Sequence, residues 1–212
     1  MQAKVVKELD DVQMVLDRLG VPLQVLQEAV QAGYVSRISC TTNDAPSASG
    51  FYQWNGTLRN LREKMVSAGW QRNNTSNWPT IVHPEKLLAI AVSSGNENTG
   101  RVNGVLSTKN AKGIRTVTAV SINANQLWLP GFEFMQLEQG AQISYPTWFL
   151  LFYADEKELR AELSLPVKVD SEGRVNSWRE RIILPVLSLE PEIKISEPDF
   201  GPDVDIKITR RG

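Results

Sequence analysis

Apolar residues recur at three- and four-residue steps through Val5, Leu9, Val12, Val15, Leu16 and Leu19. That repeat lines one face of an α-helix. Gly20 stops the pattern, and Pro22 suits the first turn of a second helix, where its missing N–H costs nothing. Leu23, Leu26, Ala29 and Val30 give the second apolar face, with Gly33 as its C-cap. The pair reads as an αα-hairpin. Its outward residues Gln24, Gln27, Glu28 and Gln31 carry no positive charge, which favours a packing hairpin over a helix-turn-helix that grips phosphates. Residues 41–56 are dense in turn formers. A third helix is predicted from about Gly56 to Ala68, with Leu58, Leu61, Met65 and Val66 on its stripe and Arg59, Arg62 and Lys64 making it basic. Residues 72–79 read as a polar loop.

The pattern then changes. Leu87 to Val92 is a continuous apolar run, as in a strand buried on both faces. Thr116 to Ile122 is rich in β-branched residues and is assigned to a strand. Trp148 to Tyr153 is a second buried strand. From Ala161 to Val169 apolar and polar residues alternate, Asp170 to Gly173 forms a turn, and a return strand runs from Arg174 to about Leu187 with Trp178, Ile182 and Leu184 on one face. Pro166 marks the outgoing strand as an edge or a bulge. Val204, Ile206 and Ile208 alternate with polar residues as a final strand. Helices precede strands, so the expected fold class is α+β: N-terminal helices packed on a mostly antiparallel sheet with a C-terminal β-hairpin. The chain divides into a mainly helical portion, residues 1–80, and a mainly β portion, residues 81–212, as two units or one continuous domain.

Bulk composition excludes several classes. The 212 residues are 42% hydrophobic and 22% charged, within the range of folded globular proteins and outside that of disordered or collagen-like chains. Cys40 is the only cysteine, so no intramolecular disulfide forms. Charges at Lys4, Lys7, Glu8, Asp10 and Asp11 break any signal-like apolar segment. The longest uncharged apolar run, Trp148 to Ala154, falls far short of the ~20 residues of a membrane span. The expected location is cytoplasmic, with no membrane partner.

A net charge of −1 hides a marked asymmetry. Residues 45–132 hold nine bases and three acids, and residues 133–212 hold fifteen acids and ten bases. No acid lies between Asn98 and Phe132, while Arg101, Lys109, Lys112 and Arg115 do. A basic stretch of this kind points to an anionic partner.

Candidate chemistry follows from that segment. Gly95 and Gly100 have the spacing of a phosphate-binding loop, but Arg101 and Val102 stand where that motif requires Lys and Ser or Thr. What remains is a looser anion-binding loop after a buried strand, using Asn96, Thr99 and Arg101 with Lys109, Lys112 and Arg115. Trp54 and Trp78 lie in or beside polar loops and are placed to stack on bases. With one His and one Cys, a zinc site of the usual kind is excluded and no metal is assigned. His83-Pro84 is placed at a strand start. A Ser–His–Asp triad has no Gly-x-Ser-x-Gly elbow to carry it.

The favoured function is that of an accessory or binding protein without enzymatic activity, holding nucleic acid or a nucleotide. An alternative is a Mg²⁺-dependent nuclease with Asp170, Glu192 and Lys194 as its acidic and basic groups, the only reading that needs a cofactor. A protein–protein adaptor with an acidic C-terminal face is a third.

Overall fold

The computed structural model describes residues 3–125, 138–139, 142–143 and 145–189. Within them the chain is α+β. The helices are α1 (Leu9–Arg18), α2 (Leu23–Ile38), α3 (Ala48–Ser67) and α4 (Ile114–Asn125). The strands are β1 (Lys4–Val6), β2 (Gln71–Asn73), β3 (Thr80–Val82), β4 (Ala89–Ser94), β5 (Glu138–Gln139), β6 (Gln142–Ile143), β7 (Thr147–Ala154), β8 (Glu158–Val169), β9 (Val175–Ile183) and β10 (Leu187–Ser188). One mixed sheet has the order β1-β9-β8-β7-β4-β3-β2, with β10 pairing the start of β8; β5 and β6 form a separate hairpin. Only β1–β9 and β4–β7 are parallel pairs. The sheet therefore draws strands from both ends of the sequence.

Alternation along the central strands divides the core in two. Ile90, Val92, Trp148, Leu150, Phe152, Leu163 and Ile182 face α1, α2 and α3. Ala91, Phe149, Leu151, Val175 and Trp178 face the other way, against Val120 of α4 and Leu106 of the long segment before it. Helices thus cover both faces. No helix among the described residues is long and apolar enough to cross a membrane.

Several sequence expectations are corrected. Residues 116–122 lie in α4 and are not a strand. Their buried positions, Thr116, Ala119, Val120 and Asn123, follow a helical repeat that β-branched content obscured. Asn123 is the anchor: its Nδ2 donates to the Thr147 and Pro166 carbonyls, and its Oδ1 accepts from the Thr147 N–H. Val5 belongs to β1, and the first helix begins only at Leu9. Gly33 does not end α2 but lies buried within it. A Cβ there would overlap the Thr57 hydroxyl of α3, so this glycine sets how closely the two helices pack. The third helix begins at Ala48 rather than near Gly56, and the supposed polar loop of residues 72–79 holds most of β2. His83 follows β3 instead of opening a strand, and its Nδ1 accepts the Glu85 N–H. Trp178 and Ile182 occupy opposite faces, because register shifts around Pro166 offset the hairpin. Pro166 marks a bulge, as one of its two expected meanings required. The strand proposed at residues 204–209 lies outside the described residues.

Glu162 and Ser164, two of the polar positions that alternate along β8, are both fully buried. Arg181 Nη2 donates to Glu162 Oε2 at 2.7 Å and to the Arg101 carbonyl at 2.9 Å. The Gly100 N–H also bonds Glu162. Burial raises the pKa of the Glu162 carboxyl, and the guanidinium opposes that shift. This pair ties the segment after β4 onto the sheet. Gly100 has φ +71°, and a Cβ there would stand 2.9 Å from Arg160 Cβ, so only glycine fits the crossing.

Candidate functional site

The site arises where β4 outruns β3. Thr80 of β3 pairs with Ala91, so Pro79 stands opposite Val92. Proline has no N–H to give a ladder, and the pairing stops there. Ala89 and Gly95 direct their N–H groups to Pro146 and Phe152 on the β7 side, so alternation turns the peptide groups of Val92 and Ser94 toward the vacated edge. Two other groups satisfy their carbonyls. Trp54 of α3 donates its indole Nε1–H to Val92 O at 3.1 Å, and the Lys109 N–H donates to Ser94 O at 3.0 Å. The segment 95–113 thereby returns along the free edge of β4.

That return is held from the far side by the β8–β9 turn. The Lys112 N–H donates to Gly173 O at 2.7 Å and the Thr108 N–H to Val175 O at 2.9 Å. Asp170 shapes the turn by accepting the Glu172 and Arg174 N–H groups on Oδ1. Lys112 is thus fixed one residue before Gly113, whose carbonyl opens α4. Its Nζ donates to Ser93 Oγ at 2.7 Å.

Two adjoining cavities, about 330 and 690 Å³, meet at this point and share Trp54, Val92, Ser93 and Lys112 in their walls. Trp78, Phe149 and Thr116 line the smaller cavity; Arg37, Lys109, Phe51 and Tyr153 line the larger. The larger cavity lies at the carboxyl ends of the parallel pair β4–β7, against Ser94, Gly95, Phe152 and Tyr153, where sheet-based folds commonly seat ligands.

Its electrostatics are one-sided. Among the described residues lining the two cavities there are three cations, Arg37, Lys109 and Lys112, and no carboxylate. No salt bridge among the described residues involves any of the three. Burial pushes the Lys112 amine down from 10.5 to about 8, because a desolvated ammonium with no counter-ion is disfavoured.

The structure brings together Trp54, Trp78, Lys109 and Lys112 of the residues proposed from sequence. It places the others elsewhere. Asn96 holds the loop, its side chain bonding Val105 O and the N–H groups of Asn98 and Ser107. Thr99 is buried and donates to Asn96 O. Arg101 reaches Glu158 at 3.7 Å, and Arg115 is exposed outside both cavities. Of the nuclease residues, Asp170 is engaged in its turn, while Glu192 and Lys194 lie outside the described residues. Among the described residues no group of three or more His, Cys, Asp or Glu side chains is placed to hold a metal ion. Sequence reasoning missed Arg37 and Ser93. A serine directly after a buried apolar run was the available signal for Ser93; Arg37 carried none.

Comparison with protein-family models, with curated proteins and with solved structures found no match for this chain.

Proposed function

We propose that the crevice binds an anionic ligand of the nucleotide class. A planar ring packs beside Trp54 and Trp78, and Lys112, Lys109 and Arg37 receive the negative charge. The observation that carries this reading is a cleft whose described wall residues include three cations and no carboxylate. A partly desolvated ammonium gains more from an anion than a fully solvated one does. The cavity volumes suit a single small ligand rather than a duplex.

The test is calorimetric titration with ATP, AMP, inorganic phosphate and a single-stranded oligo-dT at two salt concentrations. Nucleotide binding should exceed phosphate binding and weaken with salt. Lys109→Glu should weaken it about tenfold, the loss of one charge-assisted contact. Affinity should fall as pH rises through about 8, where Lys112 loses its proton. No nucleotide binding at low salt, or binding indifferent to Lys109→Glu, overturns the reading.

A further inference from the structure

We infer that Ser93 and Lys112 form a nucleophile–base pair that accepts an acyl group from an activated ester or thioester. The separation of 2.7 Å between Lys112 Nζ and Ser93 Oγ is that of a nucleophile and its general base. Both groups are held on rigid supports: Ser93 by the β4–β7 ladder, Lys112 by its backbone bond to Gly173. Ser93 is only 5% exposed, yet it lies where the two cavities meet. The residue is therefore largely shielded from bulk water while forming part of both cavity walls.

The amine has the surroundings a base needs. Among the described residues no acid lines its cavities to hold a proton on it, and burial weakens its hold on that proton. When the amine is protonated, Nζ donates to Oγ. When it is neutral, the contact reverses and the Ser93 hydroxyl donates to the nitrogen lone pair. Gly113 and Thr116, at the start of α4, line the smaller cavity. The positive end of that helix favours the oxyanion that develops on the attacked carbonyl.

The step balances without a further reactant. Ser93 Oγ attacks the carbonyl carbon as its proton passes to Lys112 Nζ. A tetrahedral oxyanion forms and collapses, the C–O or C–S bond breaks, and the leaving group takes the proton from Nζ. Water then attacks the acyl-serine, giving one proton to Nζ, which returns it to Ser93 Oγ as the acid departs. Only the expectation of an anionic carrier for the acyl group, its charge received here by Lys109 and Arg37 with Lys112 left neutral, rests on the binding reading above.

The experiment is covalent labelling of the full chain with a fluorophosphonate probe, followed by mass spectrometry of the modified peptide. Label is expected on Ser93, at a rate that rises through about pH 8 and then levels, tracking the free amine. Lys112→Met should slow labelling by about a hundredfold or more, and Ser93→Ala should abolish it. Lys112→Arg keeps the charge without a usable base, and should be as slow as Lys112→Met. No adduct on Ser93 of the unmodified protein at pH 9 overturns the pair, and so does an unchanged rate in both Lys112 variants. The wild-type result requires no variant to fold. Labelling without nucleotide binding would sink the binding reading alone, and nucleotide binding without labelling would sink this one alone.

Discussion

Replacing Lys112 by methionine should make the protein more stable at pH 7. The two side chains are similar in length, and methionine adapts to irregular space. What changes is the buried charge. The amine is held at about 8 against an ordinary 10.5. At 1.36 kcal/mol per pH unit, keeping it protonated in the folded state costs about 3 kcal/mol. The bond that Lys112 donates to Ser93 offsets about 1 kcal/mol of this. The variant should therefore gain about 2 kcal/mol at pH 7. The sign of the pH dependence follows from linkage. Between about 8 and 10.5 the unfolded chain binds the proton and the folded chain does not, so the wild type gains stability as pH rises across that window. The advantage of the variant should shrink through the same window and reverse by about 1 kcal/mol at its upper end, where the neutral amine keeps its bond to Ser93. Urea unfolding of both proteins at pH 7, 8, 9 and 10 reads this directly. A variant less stable than wild type at pH 7, or a difference that does not change with pH, would refute the picture of a desolvated, unpaired amine.

Other predictions concern the structure that holds the site. Glu162→Ala leaves the Arg181 guanidinium buried without its partner and should cost about 3–5 kcal/mol in chemical denaturation. Replacing Glu162 by Leu together with Arg181 by Met should recover most of that loss. Asn123→Ala strands the buried Thr147 and Pro166 groups and should cost about 2–4 kcal/mol, seen as a lower denaturation midpoint with an unchanged slope. Gly33→Val should lower the thermal midpoint by several degrees, since α2 cannot approach α3 with a side chain against Thr57.

What was legible in the sequence was whatever depended on local pattern. The apolar stripes of α1 to α3, the solid runs of β4 and β7 and the turn at Asp170–Gly173 all declare themselves through spacing and turn chemistry. The class α+β followed from their order. What stayed hidden depended on the third dimension. The strand reading of residues 116–122 gave β-branched content more weight than the burial repeat, which Asn123 makes plain only once its partners from β7 and β8 are in place. The burial of Glu162 and Ser164 was not legible, because alternation reports two faces, not which of them is dry. Five of the eight proposed binding residues came from one acid-poor stretch, and the fold separates them. Asn96, Thr99 and Arg101 secure the crossing over β8, whereas Lys109 and Lys112 reach the crevice. Ser93 and Arg37, far apart in sequence, line the same cavity only in the folded chain.

The pairing of β1 with β9 has a consequence for how the chain is made. Lys4 bonds Glu180 across a separation of 176 residues. At ~5–20 residues per second of synthesis, residues 4–6 wait roughly ten to thirty-five seconds for their partner to be polymerised. Helices α1, α2 and α3 are complete long before the sheet that covers their apolar faces. During that interval a nascent chain displays Val12, Leu16 and Leu26 to its surroundings. Closure of the outer strand is then a late event of high contact order, and the newborn helical segment passes that interval without the sheet that covers it.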